Sequence, residues 1–98
     1  MIAIVGLFKD QFEHVRAKVA DLPFRLHWLD KESAKPFIPG ADYVIVQRHS
    51  SHRWWAAAQR AVPSDNLAFV DGGVTQVVQK VMDFHARSCA QTAMAHAR

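Results

Sequence analysis

The sequence predicts a single α/β domain built on a four-stranded parallel sheet, and three observations lead there. Two short apolar runs, residues 1–6 (MIAIVG) and 41–47 (ADYVIVQ), are rich in β-branched side chains and read as strands buried on both faces, as in a sheet covered by helices. Strand and helix signals then alternate as β-α-β-β-α-β-α, a pattern that right-handed crossovers satisfy most simply with strand order 2-1-3-4. At 98 residues, 50% apolar and 21% charged, the chain supports one hydrophobic core and not two.

The first strand closes on Gly6. Asp10 and Glu13 then form a D-x-x-E capping signal, and Phe12, Val15, Val19 and Leu22 recur at near-helical spacing before Pro23, which predicts a helix over 11–20. In 24–30 (FRLHWLD), Phe24, Leu26 and Trp28 alternate with Arg25, His27 and Leu29, the pattern of an edge strand with one drier face. Residues 31–40 hold two Pro and one Gly and read as an irregular connection. After the strand at 41–47, Ser50 and Ser51 offer N-caps to an alanine-rich helix over 51–62, stopped by Pro63.

Residues 66–71 (NLAFVD) form the fourth strand. Gly72 and Gly73 lead into a last helix with the stripe Val74, Val77, Val78, Val81 and His85, and with 85–98 as a helical extension. Run to Ala97, that helix is on the order of 36 Å long, against about 17–20 Å for a typical strand, so its end overhangs the sheet.

Composition narrows function less than fold. Lys plus Arg number 12 against 9 for Asp plus Glu, a formal net charge of +3, which favours anionic partners mildly. The single Cys89 excludes an internal disulfide framework and fits a reducing compartment. No stretch reaches the roughly 18 apolar residues of a membrane span, and the expected location is cytoplasmic. A domain this small also gains from docking a copy of itself, so a homodimer or other homo-oligomer is expected.

In a 2-1-3-4 sheet the winding reverses between strands 1 and 3, and ligands bind outside the carboxyl ends of the strands at that switch point. The loops meeting there hold Gly6 and Lys9 on one side and RHSSHRWW, residues 48–55, on the other. No acid occurs between Tyr43 and Ser64. Arg48, His49, Ser50, Ser51, His52 and Arg53, at the start of a helix, form the candidate anion site together with Gly6 and Lys9. Trp54 and Trp55 point about 100° apart on that helix, so one is expected to be at least partly exposed, and both are candidate interface anchors.

The competing chemistries are thinner. Gly6 stands alone where a dinucleotide fingerprint needs three glycines, and no cofactor is expected. Ser51 and His52 adjoin in sequence without an established triad, Ser51 reads first as a cap, and an enzyme is the lesser expectation. Asp42 and Asp71 near strand ends are candidate acids or bases. The pairs His49/His52 and His85/Cys89 supply two metal ligands each where zinc takes three or four, so no metal is expected, and His85 and Cys89 are expected to pack. The alternatives to a ligand-binding module are an interaction scaffold without a pocket and a nucleic-acid binder using Arg48, Arg53, Arg60 and an exposed Trp.

The segment ADYVIVQRHSSHRWWAAAQRAV, followed by NLAFVDGG, resembles the small bacterial family catalogued as domain of unknown function 2325. The matching positions are Gly6, Asp42, Ser51 and His52, within a similarity covering most of residues 1–80. Gln59 stands where that pattern carries a Lys. The resemblance implies a compact Rossmann-like domain of bacterial origin with Ser51 and His52 at its functional edge, and brings no established activity.

Overall fold

Strand β1 (Ile2–Val5) has no solvent-exposed residue, because each of its two faces meets a different apolar layer. The computed structural model describes residues 1–33 and 35–96. In it β1 is joined by α1 (Lys9–Lys18), β2 (Leu26–Leu29), β3 (Tyr43–Gln47), α2 (His52–Ala61), β4 (Leu67–Val70) and α3 (Val74–His96). The four strands form one sheet in the order β2-β1-β3-β4, parallel throughout, with Ile2 opposite both Leu26 and Tyr43 and Val44 opposite Leu67.

Period-two alternation divides the core. Ile2, Ile4, Tyr43, Ile45 and Val70 face α1 and α3, where they meet Phe12, Val15, Val77, Val81 and Phe84. Ala3, Val5, Val44 and Val46 face α2, where they meet Trp54, Ala57, Ala58 and Val62, with Ile38 from the β2–β3 connection filling in beside them. The sequence allows that connection at most one helical turn, and none forms among its described residues. One helix and one irregular loop therefore cover this face, while two helices cover the other.

Several boundaries differ from the sequence-based expectation for identifiable reasons. Helix α1 starts at Lys9, two residues early. Its N-cap is Phe8, whose backbone N–H donates to Gln11 Oε1 at 3.0 Å, so Gln11 does the work expected of the Asp10/Glu13 pair. On α3 the stripe passes from Val81 to Phe84, which is buried, while His85 sits at the rim with its ring edge-on to Phe24 at 5.5 Å. Cys89, expected to pack, is exposed, one turn from His85 at 3.6 Å from Nε2. The helix is described to His96, and the expected end at Ala97 lies outside the described residues. No helix among the described residues is long and apolar enough to cross a membrane.

Candidate functional site

The carboxyl ends of β1 and β3 are adjacent, and the turns leaving these two strands determine the site. After β1 the chain turns at Gly6 with φ +106°, the only positive φ among the described residues. A Cβ there would lie 2.4 Å from Gln47 Cβ and 2.7 Å from Ser50 Oγ, so the β1–α1 turn rests directly on the end of β3 and the turn after it. Ser50 closes that turn by donating its N–H to the Gln47 carbonyl at 2.9 Å.

Gln47 and Ser50 are the buried polar residues of the described chain, 2% and 5% exposed. Gln47 Nε2, Ser50 Oγ and Trp55 Nε1 are buried with no hydrogen-bond partner among the described residues. Such groups are ordinarily paired, and leaving one buried without a partner costs about 1–3 kcal/mol. Two of them lie against the same glycine.

Neither helix starting here has an N-cap side chain bonded to its first turn, although at α1 the Gln11 side chain accepts from the Phe8 N–H. Phe8 has no side-chain acceptor to cap α1. Ser51 occupies the N-cap of α2 with the expected extended backbone, yet its side chain makes no capping hydrogen bond, which corrects the capping role expected of it. Asp10 lies in the first turn of α1 and no acid lies in the first turn of α2, so the positive end of the α2 dipole is the less neutralised.

The cations distribute unevenly. Arg48 continues the β3–β4 ladder by donating its N–H to the Val70 carbonyl, and its guanidinium pairs with Asp71 at 2.8 Å in an exposed position. Lys9 turns to the Trp28 ring, 5.9 Å from its centroid. His52 is exposed and lies flat on Trp55, centroids 4.8 Å apart with planes 5° apart. Arg53 is exposed and engaged. His49 meets Lys31, whose Nζ is 3.3 Å from His49 Nε2 and 4.9 Å from the Phe8 ring centroid. Gly6, Ser50, His49, Lys31 and Phe8 thus form a closed circuit around the mouth of the switch point.

Three of the residues that make the site, Phe8, Lys31 and Gln47, are not foreseen by the sequence reading. Lys31 belongs to an irregular loop, so no periodicity places it, and two indoles hold the loops around it. Trp54 Nε1 donates to the Lys31 carbonyl at 3.1 Å, and Trp28 Nε1 to the Leu7 carbonyl at 2.9 Å. Trp54 is 1% exposed and is core, not interface, which corrects its assignment as an anchor, while Trp55 is half-buried against Phe69. The i, i+3, i+4, i+8 spacing of Trp54, Ala57, Ala58 and Val62 carries the signal for that burial.

The other candidates stand apart. Asp71 is paired with Arg48, and Asp42 lies at the amino end of β3, so the two carboxylates occupy opposite edges of the sheet. Neither loop histidine is hydrogen-bonded to Ser50 or Ser51, and among the described residues no three His, Cys, Asp or Glu side chains gather as a metal cluster. Compared with protein-family models, with curated proteins and with solved structures, the chain matches none.

Proposed function

We propose that this chain is a binding module that holds a phosphate or other small anionic group at the carboxyl edge of the sheet, between the turns after β1 and β3. One observation carries the reading: two polar side chains, Gln47 and Ser50, are buried without partners against the Gly6 turn, beside the N-terminus of α2, whose N-cap Ser51 makes no side-chain capping bond. An anion there accepts from the first N–H groups of α2 and, once the Gly6 turn moves off them, from Gln47 Nε2 and the Ser50 hydroxyl, while Lys31 balances its charge. The proposed role is binding without chemistry, since His52 is engaged in stacking on Trp55 and His49 in contact with Lys31. The resemblance to the bacterial family points to the same edge through Ser51 and His52.

The test is thermal stability against phosphate, carboxylates and chloride at constant ionic strength. Phosphate at about ten times its Kd stabilises by about 1.4 kcal/mol, several degrees in Tm for a domain this size. The shift should vanish in Gln47→Leu/Ser50→Ala. A protein indifferent to every anion, or a shift that survives the double substitution, removes the reading.

A second reading, association with a partner or a second copy, draws on the α2 side of the sheet. There Phe37 is 72% exposed and flanks a groove of about 200 Å³ along α2 with Ile38, Ala57 and Arg60. A mass that rises with concentration by light scattering, and falls back in Phe37→Ser, distinguishes it.

A further inference from the structure

An N-cap position favours Ser, Thr, Asp or Asn, whose side-chain oxygen accepts from the first turn. Phe8 occupies that position in α1, offers no side-chain oxygen to the first turn and is 62% exposed. A lone exposed phenylalanine needs no explanation, but this ring is tied to the polar site through two routes. Along the chain it is two residues from Gly6, at most about 7 Å of backbone. Through space Lys31 Nζ bridges it to His49, the neighbour of Ser50. The Trp54–Lys31 hydrogen bond fixes the backbone from which that ammonium reaches. An ammonium carries three donors, so Lys31 can touch His49 and the Phe8 face and still reach an anion.

We propose that the ligand is a phosphate ester carrying a planar ring, of the class of nucleoside monophosphates. Its phosphate sits over Gln47 and Ser50, and its ring stacks on Phe8. This deepens the anion-site reading above and rests on it. A pentose is the group that links phosphate to base in such an ester, and stacking on a protein aromatic tolerates different bases because each presents a π face.

Calorimetric titrations of the full chain with inorganic phosphate, ribose 5-phosphate and adenosine monophosphate separate the two parts. Adenosine monophosphate should bind about five- to a hundredfold more tightly than ribose 5-phosphate. Phe8→Leu should bring it down to the affinity of ribose 5-phosphate. Phe8→Ser should do the same while raising Tm, because serine is a favourable cap, so that loss cannot be ascribed to unfolding. Equal affinities for the two esters in the wild type, or an unchanged preference in Phe8→Leu, overturn the ring while leaving the anion site standing. Failure of all three ligands to bind overturns both.

Discussion

The two edges of this sheet differ in what their polar groups lack. At the amino edge lies an open cleft of about 520 Å³ lined by Phe24, Asp42, Tyr43, Pro63, Asn66 and Ser88. Several of its polar groups are matched: the Asn66 amide donates to the Asp42 carbonyl at 3.0 Å and accepts from Arg87 at 3.2 Å, and Ser88 is likewise engaged. The carboxyl edge combines the positive φ of Gly6, the unfilled N-cap of α2, unpartnered buried side chains and an exposed Phe8. Places where local rules fail together are where function is expected, because each failure costs stability that something else must offset. Unmet hydrogen-bonding capacity is what singles out the carboxyl edge as the candidate.

The largest expected effect tests the scaffold of the carboxyl edge. Trp54→Ala removes a fully buried indole from under α2 and the hydrogen bond that holds Lys31, and should cost about 3–5 kcal/mol. Urea denaturation measures it. Were Trp54 an interface anchor of an otherwise intact monomer, the loss would be small and dependent on protein concentration.

Next comes a pair of glycines, one near each edge. Gly6→Ala places a Cβ 2.4 Å from Gln47 Cβ at φ +106°, so it should cost about 2–3 kcal/mol and shift Tm down by about 10 °C or more. Gly40, in the loop entering β3 at the amino edge, has nothing within 4 Å of its would-be Cβ, and Gly40→Ala should be neutral or stabilising by at most about 1 kcal/mol. Equal effects at both positions in a melting experiment would mean that the two turns do not pack as described.

These contrasts also mark what the sequence can convey. Strand runs such as IAIV and YVIVQ, the alanine-rich segment and the stop at Pro63 are local signals, and local signals carry the strand order and the location of α2 to within one residue. Because winding order alone fixes the switch point, residues 48–53 can be named as candidates. Contacts between elements are a different matter. Lys31 reaches His49 across the loop after β2, and the Gly6 turn rests on Gln47, contacts that no local pattern encodes. The N-cap of α1 departs from expectation for a related reason: Asp10 and Glu13 satisfy a local pattern, whereas the helix begins where the turn after Gly6 points it.

The smallest effects on stability are the most informative about function. Gln47→Leu and Ser50→Ala each delete a buried group that lacks a partner, so the fold should lose nothing and gain up to about 1 kcal/mol. An ordinary buried hydrogen-bonded side chain behaves oppositely, with truncation destabilising by about that amount. Asp71→Asn, which breaks the exposed pair with Arg48, should change stability by less than about 1 kcal/mol, an effect that fades with added salt. If Gln47→Leu raises Tm in plain buffer yet melts lower than wild type when phosphate is present, the amide is retained for what it binds. If it melts lower under both conditions, Gln47 is structural, and the difference between the two edges is one of packing alone.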